Sequence, residues 1–231
     1  MSNLRISKVQ KSAFLWGHDT ELGQVSLQVL LNHQNYNSIY IIAESHSISS
    51  DQLNCVSIIN TTIFEAVGKL RVDDVFLCVH LFGKQSPGAN QYSSIDWYYK
   101  YPAKIAMLLS LHGANQVALI SSAFTFNDVL SNAMRSLEEL EKFLYKLTLW
   151  SMRIYKPAYI NGENSGEEIG PAIISGLMKV LPEFMQNSGP IDRFQFVAYM
   201  VDQAQSLQKG RYKLNHRDIS KQLNNFVIKS K

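Results

Sequence analysis

Cysteine is almost missing from this 231-residue chain: Cys55 and Cys78 are the only two, each isolated in apolar surroundings. A disulfide framework is thereby excluded, and both read as buried thiols of a reducing compartment. Long apolar runs are missing as well, since no stretch approaches the roughly 20 residues that a bilayer-spanning helix needs. The opening "MSNLRISKVQKS" is polar and lacks the apolar core of a signal peptide. A soluble, cytoplasmic protein with no membrane partner is expected. An excess of one charge sign is lacking too: 22 Lys and Arg against 19 Asp and Glu leave a net charge of +3. No stretch concentrates the basic residues, so composition offers no footprint for nucleic acid. His33, His46, His112 and His216 are scattered without metal-ligand spacing, and no metal site is expected.

What is present is globular: hydrophobic residues make up 46% and charged residues 18% of a length that suits a single α/β domain. Short apolar runs alternate with helical periodicities. "SAFLWG" (12–17) reads as a first strand, followed by a helix over "TELGQVSLQVLLNH" with Leu22, Val25, Val29 and Leu30 on one face. "SIYIIAE" (38–44), "CVSIIN" (55–60), "DDVFLCVHL" (73–81) and "QVALISS" (116–122) read as further strands, and "WSMRIYKPAYI" (150–160) as the sixth. A helix over "WYYKYPAKIAMLLSLHG" closes on Gly113, with Pro102 signalling a late start or a kink. Another covers "SNAMRSLEELEKFLYKL". Strands that alternate with helices, without hairpin turns, predict a doubly wound parallel sheet of Rossmann type. Residues 1–160 would hold the sheet. Residues 161–231, with helices over "PAIISGLMKVLPEF" and "FVAYMVDQAQSL" and a polar tail ending in "DISKQLNNFVI", would form a small C-terminal lobe of the same domain.

The order of these elements, together with several strings, resembles the atypical short-chain dehydrogenase/reductases. The closest group is the small single-domain branch that includes the Tat-interacting, oxidoreductase-like proteins. The resemblance runs from about residue 12 to 205 and is carried by "FLWGHDTELG", "DDVFLCVH", "YYKYPAKIAMLLSLHGANQVALISSA", "ELEKFL", "RIYKPAYINGE" and "GPIDRFQFVAYMV". It implies NAD(P) held by a G-x-x-G-x-x-G turn. It also implies catalysis by a Ser or Thr hydroxyl that orients a carbonyl, with a Tyr-x-x-x-Lys pair that supplies the proton.

The chain departs from that pattern at several places. Gly17 and Gly23 fit the first and third glycines, but Thr20 stands where the middle one belongs, and Asp19 and Glu21 add negative charge beside Leu22. A side chain at position 20 crowds a pyrophosphate, and carboxylates oppose it. Either Asp19 or Thr20 caps the helix with no ligand, or a dinucleotide binds in a modified pose. Glu44 ends the second strand where an acid grips the adenosine ribose, which favours NAD over NADP. His80, with Leu81 and Phe82, occupies the turn after the fourth strand, where a wall residue or core packing is expected rather than chemistry.

Ser121 or Ser122 can serve as the carbonyl-orienting hydroxyl. In the next helix Ala133 falls at the tyrosine position and Leu137 at the lysine position, and no Tyr-x-x-x-Lys pair exists in any nearby register. Lys142 and Lys146 read as a solvated face with Glu138, Glu139 and Glu141. Lys156-Pro157 replaces the family's Arg-Pro after the sixth strand, keeping the charge at a cofactor-contacting position. "WYYKY" (97–101) reads as packing or a dimer seam, and "HRD" (216–218) as part of the polar tail.

Three functions compete. The first is a catalytically inactive binding scaffold or nucleotide sensor with a protein partner, and homodimerisation through the helices flanking the fourth and fifth strands. The second is an active NAD(P)-dependent oxidoreductase that uses a displaced Tyr155, Tyr159 or Tyr92. The third, nucleic-acid or membrane binding, needs a basic face that composition does not reveal.

Overall fold

The computed structural model of the chain describes residues 10–42, 53–56, 63–79, 95–122, 128–158, 160–161, 190–206 and 208–229. Apolar, β-branched runs form the centre. β1 (Lys11–Trp16), β2 (Tyr36–Ile42), β3 (Leu53–Val56), β4 (Asp74–Cys78), β5 (Gln116–Ile120) and β6 (Ser151–Lys156) are ordered β3-β2-β1-β4-β5-β6 across one sheet. Every pairing is parallel. Strand order reverses between β1 and β4, the topological switch at which doubly wound sheets bind ligands.

Both faces are covered, which explains why the strands read as continuous apolar runs rather than alternating ones. On one face Phe14, Trp16, Val75, Leu77, Val117, Leu119, Met152 and Ile154 pack against α2 (Ile63–Val67), α3 (Tyr101–Leu111) and α4 (Asp128–Leu144). On the other, Ala13, Leu15, Ile39, Ile41, Phe76, Ala118, Ile120 and Tyr155 meet α1 (Glu21–Asn32) and α5 (Arg193–Gln205). Cys78 is a free, buried thiol beside the Ser26 hydroxyl, and burial pushes its pKa up to about 12. The Cys55 side chain lies outside what is described.

Three departures from the sequence reading have physical causes. The sixth strand stops at Lys156, because Pro157 has no amide to continue the ladder. The chain beyond it forms β7 (Ile160–Asn161), which pairs with β8 (Ile191–Asp192) in a separate ribbon. Pro102 sits in the first turn of α3, and the π-helical turn Asp96–Lys100 precedes it, with the Tyr101 amide reaching back to the Asp96 carbonyl. A proline cannot donate to the carbonyl four residues back, so the wider turn takes up the mismatch. Finally, "GRYKLN", expected in a polar tail, is β9 (Gly210–Asn215), a seventh strand parallel to β6 at the sheet edge. It leads directly into α6 (His216–Lys229), and His216 is buried with its Nδ1 accepting from the Ala158 amide at 3.3 Å. Part of the segment assigned to the lobe therefore completes the sheet.

A buried polar network anchors α5 at the amino ends of the strands. The carbonyl of Ala204 accepts from Lys11 Nζ at 2.8 Å and from the Gln116 amide. Asp74 pairs with Lys11 at 3.1 Å and accepts from the Tyr36 hydroxyl, which in turn accepts from Gln205. Burial raises the Asp74 carboxyl above its ordinary value against the pull of Lys11.

Candidate functional site

The turn between β1 and α1 is packed closely around two glycines. Gly17 has φ +79°, and a Cβ there would lie 2.2 Å from the Cys78 carbonyl oxygen. A Cβ on Gly23 would lie 1.7 Å from the Gly17 carbonyl oxygen. Both glycines are thus required for packing: one seats the turn on β4, the other brings α1 against β1.

The middle position is different. Thr20 is the N-cap of α1: its hydroxyl donates to the Gly17 carbonyl at 2.7 Å and accepts from the Gly23 amide at 3.0 Å. An amide that would face an anion is spent inside the turn, and a side chain stands where the pyrophosphate would approach. Asp19 holds one buried carboxylate oxygen without a hydrogen-bond partner, and Glu21 puts a second acid in the first helical turn. Leu22 is buried in the core beneath α1. The residues at this turn do not fit a pyrophosphate in the usual pose. Glu44 and His80 lie outside the described residues, as do Tyr92 and Tyr159.

At the carboxyl end of β5, Ser121 and Ser122 are both fully buried. The Ser121 amide donates to the Tyr155 carbonyl at 2.8 Å, and its hydroxyl donates to Glu141 Oε1 at 2.9 Å. The same oxygen accepts from Lys156 Nζ at 2.8 Å, while Oε2 accepts from Lys213 Nζ at 2.8 Å. Glu141, expected on a solvated helix face, is instead a buried carboxylate held by two ammonium groups and a hydroxyl. The reason is its place on α4: it lies four residues after Leu137, on the stripe that faces the sheet. Burial alone would raise this carboxyl, but hydrogen bonds from Lys156, Lys213 and Ser121 outweigh it and hold it below the ordinary value. Lys142 keeps to the solvated face, paired with Glu139 at 2.8 Å.

Ala133 and Leu137, where the tyrosine and lysine belong, are buried with Leu140 and Leu144 in the core between α4 and the sheet. Tyr155 faces the opposite side, packed edge-on against Phe196 and Tyr199 at 5.6 and 6.4 Å. Its hydroxyl is buried without a partner, and desolvation raises its pKa. It shares no site with Ser121. Glu141 and Lys213 were missed as members of this cluster. The i, i+4 relation of Leu137 and Glu141 was the available signal for the first, and the Tyr212–Leu214 alternation of an edge strand for the second. Among the described residues no group of His, Cys, Asp and Glu has a metal-binding arrangement, and no helix is long and apolar enough to cross a membrane.

No protein-family model and no curated protein matches the sequence. Solved structures do match in shape. The oxidoreductase ylbE from Lactococcus lactis superposes with a TM-score of 0.60 at 14% identity, over 94% of this chain and 97% of that one. The Bordetella bronchiseptica enzyme WbmH, solved with NAD+, gives 0.58 at 13% over 95% and 81%. BdcA, solved with NADPH, gives 0.58 at 13% over 90% and 93%. This architecture is the one that the resemblance drawn from the sequence implies, and the chain is a Rossmann-type α/β protein, the fold it shares with these three structures.

Proposed function

We propose that this chain is a degenerate member of the atypical short-chain dehydrogenase/reductases that acts as a binding scaffold and does not transfer hydride. The carrying observation is the Ser121–Glu141–Lys156–Lys213 cluster. The hydroxyl that would orient a substrate carbonyl donates to a carboxylate, and that carboxylate is neutralised by two lysines. Aliphatic side chains in the core occupy the positions from which a phenol and an ammonium would act. Charge is fixed at this edge, but among the described residues nothing there is arranged to release a proton to a substrate. Tyr155, one of the three displaced donors of the competing enzymatic reading, is sealed on the other face, and Tyr92 and Tyr159 lie outside the described residues.

The first test is titration and turnover together. Calorimetry with NAD+, NADH, NADP+ and NADPH is expected to give flat traces up to about 1 mM, a binding energy below about 4 kcal/mol, and no carbonyl panel should consume reduced cofactor. Replacing Thr20 by Gly removes the side chain from the cradle and frees the Gly23 amide, at a capping cost of only a few tenths of a kcal/mol. That variant should gain measurable dinucleotide affinity, and Glu44 should give NAD the preference. Micromolar binding by the natural chain, with turnover abolished in Ser122→Ala, would overturn the proposal.

Homodimerisation belongs to the same reading. The outer surfaces of α2, α3 and α4 form a groove of about 470 Å³ lined by Phe64, Tyr99, Tyr101, Met107 and Phe143. Lys104 sits 3.9 Å above the Phe64 ring at its side, and α4 exposes Glu138, so a second copy can bring a charge of opposite sign to this seam. Sedimentation should report a dimer that Lys104→Glu disrupts; a monomer at micromolar concentration would remove the dimer from the proposal.

A further inference from the structure

β9 is the outermost strand of the sheet, and its outer edge is free among the described residues. Its Gly210 amide donates inward to the Trp150 carbonyl at 3.1 Å. In a parallel ladder, inward- and outward-facing backbone groups alternate, so the amides and carbonyls of Arg211 and Lys213 point away from the sheet. Asn215, next in that series, satisfies its amide on Asp218 Oδ2 at 3.2 Å and closes the edge at that end. Arg211, Tyr212 and Lys213 are all exposed.

Cations surround this edge. Lys209 lies 5.0 Å above the half-exposed Trp150 ring, Arg211 donates to the Leu147 carbonyl from an exposed position, and Lys146 is exposed beside it. Lys213 is 49% exposed even though it pairs with Glu141. The two carboxylates bonded to this strand among the described residues are already committed: Glu141 to two lysines and a serine, Asp218 to the strand end.

We infer that β9 docks an extended acidic peptide segment of a partner protein, which adds as a further strand along Arg211–Lys213 with its carboxylates against Lys209, Arg211 and Lys213. The inference gives chemistry to the partner of the scaffold reading and rests on that reading. Lysines on an edge keep neutral strands from pairing there, and an acidic strand is the partner that this protection admits. A second copy of the chain is disfavoured, because two-fold pairing sets Arg211 and Lys213 against themselves. Single-stranded nucleic acid is disfavoured because its stacking surfaces are taken. Lys209 covers Trp150, and the Arg153 guanidinium lies 5.2 Å from the Tyr212 ring, whose hydroxyl donates to the Lys209 carbonyl.

The test is fluorescence anisotropy of the full chain with a labelled peptide of about eight residues that alternates glutamate and threonine. Saturable binding is expected, with no binding of the same peptide carrying lysine for glutamate. Arg211→Glu should weaken it at least tenfold. Arg211→Pro should weaken it several-fold more than Arg211→Gln, because proline also removes an outward amide while the inward ladder stays intact. Circular dichroism checks that each variant is folded. Equal loss in the proline and glutamine variants would overturn strand addition, and so would absence of peptide binding. Equal or tighter binding of a uridine oligonucleotide or of phosphatidylserine vesicles would overturn the peptide as occupant, as would a dimer that Arg211→Glu dissolves. None of these results depends on cofactor titration or turnover, so failure here and failure of the scaffold reading are separately visible.

Discussion

Gly23→Ala should leave almost no folded protein. The added methyl would sit 1.7 Å from a backbone oxygen of Gly17, and neither α1 nor the turn can retreat without separating from β1. Gly17 cannot compensate, because its own position against the Cys78 carbonyl is equally tight and its φ is +79°. A loss above about 4 kcal/mol is expected, a large share of the roughly 5–15 kcal/mol that holds a typical domain together. Soluble yield and thermal melting measure it. A variant that melts within a few degrees of the natural chain would mean that the turn is not packed as described. Thr20→Ala is the control in the same turn: it removes only the cap and should cost about 1 kcal/mol.

The second large effect is expected at Glu141. Truncation to alanine leaves Lys156, only 15% exposed, without its counter-charge and Ser121 without its acceptor. Removing one member of a buried ion pair costs about 3 kcal/mol or more, because the remaining charge stays desolvated. Urea denaturation should show that loss for Glu141→Ala and a smaller one for Glu141→Gln, whose amide oxygen still accepts from Ser121. The pH dependence has a definite sign. A carboxyl held below its ordinary value stabilises the fold fully above that value, 4.5 for glutamate, and this contribution disappears as pH falls through the lower folded value. The difference between the natural chain and Glu141→Gln should therefore be constant near neutrality and shrink in acid. Asp74 has the opposite slope, since burial raises it, and it cancels in that comparison. A difference that grew on acidification would contradict the placement of Glu141 between two lysines.

The extent to which the fold was legible in the sequence follows from where each element lies. β1, β4 and β5 are covered on both faces, so Ala13–Trp16, Val75–Cys78 and Val117–Ile120 are unbroken apolar runs, and β2 carries another over Ile39–Ile42. β9 is the outermost strand among the described residues; Arg211, Lys213 and Asn215 dilute its pattern until only Tyr212 and Leu214 remain. The cradle was legible for a related reason. Gly17, Thr20 and Gly23 act within one turn, where spacing alone decides which atoms meet, and capping by Thr20 was one of two readings that this spacing allowed. The Glu141 cluster was not legible. It joins residues from β5, α4, β6 and β9, and charges distant in sequence carry no sign of which one burial will select. Leu137 marked the buried stripe, but Glu138, Glu139 and Lys142 around it made Glu141 look like one more solvated acid.

The position of β9 also bears on how the molecule is assembled. Its partner β6 precedes it by the whole stretch from Pro157 to Lys209, so this pairing, like that of β1 with β4 across Gly17–Asp73, closes a longer loop than those between β1 and β2, β4 and β5 or β5 and β6, and such contacts form slowly. During synthesis β6 emerges well before the strand that covers it, and Lys156 and Glu141 meet before Lys213 arrives. A nascent chain halted before Gly210 would expose β6 as its edge, and the ribosome-bound intermediate should depend on chaperones at that stage.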